Sequence, residues 1–125
     1  MLNILLVALG GAGGSVLRYL AGIASVRLMG AGFPWGTLFV NVTGSFLIGV
    51  LSEVIARRFG ASPELRLFLV TGILGGYTTF SAFSLDAAML AEQGQFGAAA
   101  LYVALSLVLS GLAVVAGLAL MRAIV

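Results

Sequence analysis

The stretch Gly72-Ile-Leu-Gly-Gly-Tyr-Thr-Thr-Phe-Ser-Ala-Phe83 sets two adjacent glycines and two adjacent threonines in the middle of an apolar run. The uncharged sequence around it extends from Leu67 to Leu85 and centres on Gly76, so its weakest helix-forming point falls near the middle of a membrane-spanning segment. Gly and β-branched Thr both disfavour helix. Irregular backbone at that depth persists only where protein or a polar cavity satisfies its N–H and C=O groups. The segment is therefore expected to form two helical pieces, about residues 63–74 and 80–91, with a buried ion site at the break. Glycines also pack membrane helices closely, and Thr can bond its own helix. The clustering of Gly75, Gly76, Thr78 and Thr79 at one depth, without small-xxx-small spacing, favours the break.

Outward from this stretch, 62% of the chain is hydrophobic and 8% is charged, with a mean hydropathy of +1.22. Such a composition cannot clothe a soluble globule, and it marks an integral membrane protein. The 125 residues allow about four spans of ~20 residues with short connections, so one membrane domain accounts for residues 1–125. With no Cys and no His, thiol chemistry, disulfides and imidazole metal sites are excluded, and an enzyme is disfavoured. Six Arg against four acids make no polybasic patch for nucleic acid. The first apolar segment lacks a basic n-region and is read as a retained span, not a cleaved signal.

Span one covers about residues 3–26, with Gly10, Gly14, Arg18 and Gly22 at four-residue spacing on one face. A glycine face means close helix contact. Arg18 either snorkels to the headgroups or faces a water-filled vestibule that attracts anions, and the residues alone leave both open. Pro34-Trp35 suits a span start at the interface, and span two follows over about residues 36–55. Thr37, Asn41 and Ser45 form a polar ridge along it, in which Asn41 either bonds a neighbouring helix or lines a polar path. Ser62 and Pro63 are a helix N-cap and first helical position for span three. Beyond the break, Phe80 and Phe83 share a face. Asp86 is interfacial or paired with an Arg. After the turn Glu92-Gln93-Gly94-Gln95, span four carries Tyr102, Ser106 and Ser110 as a second polar ridge.

Four spans put both termini on one side. That side holds Arg57, Arg58, Arg66 and Arg122, against Arg27 on the other, so the positive-inside rule mildly favours cytoplasmic termini. Neither half of the chain duplicates the other. Any two-fold pseudo-symmetry that transport needs must come from a second copy. The two ridges offer amide and hydroxyl donors with no carboxylate at mid-membrane in spans one, two or four. Donors fit an anion, and ring edges of Phe80 and Phe83 carry the positive end of the aromatic quadrupole. Carbonyls freed at the Gly75 to Thr78 break would instead hold a cation, as a structural ion.

Across nearly its whole length the chain resembles the small fluoride channels of the Fluc or CrcB family. The resemblance rests on Gly10-Gly11-Ala12-Gly13-Gly14 with Arg18-Tyr19, on Pro34-Trp35-Gly36-Thr37-Leu38 with Asn41 and Gly44, and on Thr71-Gly72 through Gly75-Gly76, Thr78-Thr79-Phe80-Ser81 and Phe83-Ser84. It implies an all-α membrane protein whose third of four helices is broken, assembled as an antiparallel, dual-topology homodimer in the plasma or inner membrane. It implies passive fluoride export, with Thr37, Asn41, Phe80, Phe83, Tyr102, Ser106 and Ser110 along the pore and Arg18 in an electropositive vestibule. It further implies a sodium ion at the dimer interface, held by the backbone carbonyls of Gly75 and Thr78. Three positions depart from the family pattern: Ala82 stands where Thr is usual, Asp86 where Glu is usual, and Tyr77 where Leu is usual. Two other readings compete. A small four-span drug/proton antiporter needs an embedded carboxylate that span one lacks, and a non-transporting scaffold would use every Gly and Ser for packing.

Overall fold

The computed structural model describes all 125 residues as a bundle of helices. Four segments are long and apolar enough to cross a membrane: Leu2–Met29, Trp35–Arg58, Pro63–Glu92 and Phe96–Ile124. They are called here the first to fourth spans. Each exceeds the ~20 residues that a bilayer core requires, so the ends project into the headgroup layers. The first span runs three residues beyond the expected Val26, to Met29, and the second begins one residue early, at Trp35.

Local chemistry sets the boundaries. Ser62 Oγ accepts from the Leu65 N–H at 3.3 Å, with Pro63 at the first helical position, as the sequence predicts. Gly94 adopts φ 77° in the turn between the third and fourth spans, a conformation that side chains with a Cβ rarely take. From Arg66 to Leu74 the third span winds as a wider π-helix. Long π-helical runs are rare, and nothing in these residues announces this one.

Two close helix pairs build the bundle. The first span lies against the N-terminal half of the third, where a Cβ on Gly10 would stand 2.5 Å from the Phe68 carbonyl oxygen. A Cβ on Gly14 would run into the Ile73 carbonyl. The second span lies along the fourth, where a Cβ on Gly49 would come within 2.5 Å of the Val114 oxygen. Hydrocarbon tails offer no hydrophobic drive to pair helices, so such backbone-to-backbone approach is what dispersion contacts need. At the end of this second pair Arg122 Nε lies 2.6 Å from Glu53 Oε1, and Arg57 Nε lies 2.9 Å from Glu53 Oε2.

The largest apolar cluster, Leu38, Phe83, Leu90 and Tyr102, joins the second and fourth spans to the second half of the third. Only 16 of 125 residues are buried within the single chain, so most apolar faces await lipid or protein. The chain is a multi-pass membrane protein.

Candidate ion pathway

The break in the third span is real, but it begins at Thr78, three residues later than the sequence suggests, and the helix resumes at Phe80 as expected. Gly75, Gly76 and Tyr77 stay helical, whereas Thr78 (φ −91°, ψ 160°) and Thr79 (φ −154°, ψ 125°) are extended. Gly76 is held in the helix by packing: a Cβ there would lie 2.5 Å from the Gly11 carbonyl and 3.0 Å from Ser15. Its glycine serves contact with the first span instead of a kink.

Side chains replace the ladder where it stops. Asn41, from the second span, donates through Nδ2 to the Thr79 carbonyl at 2.9 Å and accepts the Thr79 N–H on Oδ1 at 2.8 Å. Thr79 Oγ1 accepts from the Ala82 N–H at 3.0 Å and so caps the helix that resumes at Phe80. Ala82 thus contributes its N–H although it lacks the hydroxyl usual at that place. The Thr78 N–H and hydroxyl both donate to the Leu74 carbonyl, at 3.0 and 2.9 Å.

Carbonyls along the break lose their donors in this exchange, those of Gly75 and Thr78 among them. With its N–H turned to Asn41, Thr79 cannot serve the Gly75 carbonyl four residues back. No N–H or side chain donates to the Thr78 carbonyl either.

Beside the break is a cleft of about 350 Å³ lined by Asn41, Ser45, Gly75, Thr78, Phe80, Phe83, Ser106 and Ser110, with no charged residue in its wall. Ser106 is 6% exposed and its Oγ has no hydrogen-bond partner. A buried hydroxyl left alone costs roughly 1–3 kcal/mol, so Ser106 is an energetically costly residue in the cleft wall. Phe83 is buried, while Phe80 is 76% exposed, and their ring centroids are 5.6 Å apart at 53°.

Tyr102 and Thr37 lie elsewhere. Tyr102 is fully buried, its ring 5.3 Å from that of Phe83, and its hydroxyl donates to Asp86 Oδ2 at 3.1 Å. Within the chain Asp86 therefore pairs with a tyrosine, where the sequence left it either interfacial or paired with an Arg. Asp86 and Thr37 line a second cleft, of about 290 Å³, near Trp35. Each ridge is thus divided: Asn41, Ser45, Ser106 and Ser110 face the first cleft, Thr37 faces the second, and Tyr102 spans the wall between Phe83 and Asp86. Arg18 is half-buried, lines neither cleft and forms no ion pair.

Sequence reasoning missed Thr79 as clamp and cap, and Glu53 as the partner of Arg122. The Glu53 and Arg57 spacing of four was visible, but Arg122 is 69 residues away from Glu53.

A family model described as "CrcB-like protein, Camphor Resistance (CrcB)" matches residues 5–118. A Rhizobium meliloti protein named fluoride-specific ion channel FluC is 65% identical over 125 residues, covering 100% of both chains. An Agrobacterium fabrum protein of the same name is 65% identical over 122 residues, 98% of each chain. A third, from Rhodospirillum centenum, is 54% identical over 122 residues, 98% of this chain and 97% of its own. The glycine contacts of the first span, the Asn41 clamp and the broken third span all fall inside the matched region, and the chain belongs to the CrcB family.

Proposed function

We propose that the chain is a fluoride-selective ion channel for passive export of fluoride from the cytoplasm, and not an enzyme. Relatives matched end to end carry that name. The observation that carries the reading in this chain is the unpartnered, buried hydroxyl of Ser106, a residue in the wall of an uncharged cleft that Asn41 and Phe83 also line. A small hard anion must exchange its water shell for donors, and an orphan hydroxyl offers one without first breaking a bond. In this reading the anion meets ring edges of Phe80 and Phe83, Ser110 continues the donor line, and Tyr102, whose hydroxyl proton is held by Asp86, lies at the end of the route. Thr37 extends it into the second cleft, and Arg18 supplies positive potential at the membrane surface.

The active unit in this reading is an antiparallel homodimer of dual topology in the cell's inner membrane. What supports it is the exposed edge formed by Gly75 and Phe80, which leaves the first cleft open on one side in the single chain. A sodium ion fits the same edge. The Gly75 and Thr78 carbonyls are without their helical donors, and two copies would bring four such oxygens together, the hard ligand type that a hard cation takes. A bound cation would neutralise those dipoles and hold the break open.

No carboxylate lines the first cleft, so the proton-for-cation exchange of a small drug antiporter finds no carrier there. Liposomes loaded with fluoride and containing the purified protein should release it on addition of a cation ionophore while retaining chloride. Equal loss of chloride would defeat the selectivity claim.

A further inference from the structure

The residue just before the break makes a bond that the pathway does not account for. Tyr77 Oη lies 2.9 Å from Thr43 Oγ1 on the second span. Thr43 Oγ1 donates its only proton to the Phe39 carbonyl at 2.7 Å, so Tyr77 must be the donor between the two hydroxyls. The tyrosine ring reaches Thr43 across Gly44, where a Cβ would stand 3.3 Å from Tyr77 Cδ2.

We propose that Tyr77 is a positioning residue that, acting through Thr43, fixes the Thr78 carbonyl for its cation; this rests on the sodium reading above. Thr78 is suspended between two attachments to the same helix. Asn41 holds Thr79 on one flank through two hydrogen bonds, and Thr43 holds Tyr77 on the other. The peptide plane between Thr78 and Thr79 carries the carbonyl that nothing in the chain satisfies. Gly75 and Gly76 precede this segment in the helix, where Gly76 packs on Gly11 of the first span, and Tyr77 is the residue of that flank that is bonded to the second span. An aliphatic side chain at position 77 would fill the space of the ring without tethering it. The tyrosine hydroxyl ties it to a helix already bonded on the far side of the break, which limits how the Thr78 carbonyl can turn.

The test uses the purified full-length protein, with equilibrium binding of radiolabelled sodium measured across a sodium series balanced by N-methylglucamine and thermal unfolding followed in parallel. The sodium concentration giving half occupancy should rise about fivefold in Tyr77→Phe, the fold-change that one neutral hydrogen bond represents. At sodium concentrations that fill the site in both proteins the variant should conduct fluoride like the wild type. Thr43→Val should shift the sodium midpoint equally, the double variant should shift it no further, and Thr43→Ser should restore it. A Tyr77→Phe midpoint equal to wild type overturns the proposal. So does a uniform fall in melting temperature with an unchanged midpoint, which would mean lost packing only. If the wild type itself shows no sodium dependence, the cation reading falls and this inference with it.

Discussion

Replacement of Asn41 should damage the chain out of proportion to the size of the side chain. Its carboxamide is the sole partner of both the N–H and the C=O of Thr79, at 2.8 and 2.9 Å, in the one segment of the third span that has left the helix. Asn41→Leu fits the space and strands both groups. At about 1–3 kcal/mol for each buried backbone group without a partner, the loss is roughly 2–6 kcal/mol. Asn41→Asp keeps an acceptor for the Thr79 N–H, removes the donor to its carbonyl, and strands one group at about half that cost. It also sets a carboxylate on the wall of the cleft proposed for the anion, where like charge would raise the barrier to entry. The Leu variant should therefore be the less stable of the two, and the Asp variant should be folded yet strongly slowed in fluoride efflux. Melting of the purified variants and efflux from liposomes read these two effects separately. An Asp variant that conducts like the wild type removes Asn41 from the pathway, and a Leu variant that melts with the wild type refutes the clamp.

Other substitutions separate packing from passage. Ser106→Ala breaks no hydrogen bond, so stability should change by no more than about 0.5 kcal/mol, while fluoride efflux falls; undiminished efflux would place the ion's route elsewhere. Phe80→Ile acts on a ring that is 76% exposed in the single chain and should cut flux at little cost in chain stability. Phe83→Ile should cut flux and also cost about 1 kcal/mol through its buried contacts, and normal flux in both variants would discard the ring-edge argument. Gly14→Ala drives a methyl into the Ile73 carbonyl and should cost roughly 1–3 kcal/mol as the first and third spans separate; a neutral result in a melting assay would deny the close approach.

The four spans were legible because apolar runs bounded by Arg, Pro and Gly leave few alternatives, and Ser62-Pro63 marked the start of the third in the usual way. The donors Asn41, Ser45, Ser106 and Ser110 were recognisable from their spacing, and they do face one cleft. The pairings were not legible, because each joins residues far apart in the chain. Tyr102 takes Asp86 across 16 positions, and Asn41 takes Thr79 across 38.

The position of the break shows what such long-range pairing does. Judged on helix propensity, the glycine pair at 75 and 76 is the weakest point of the third span, a penalty of about 1 kcal/mol each. Yet both stay helical, since Gly76 gains close contact with Gly11 and Ser15 there. The helix stops instead at Thr78 and Thr79, where Asn41 and the Thr79 hydroxyl offer replacement partners. In hydrocarbon an unmet backbone group costs more than any propensity difference. A membrane helix therefore opens where another element can satisfy what it gives up.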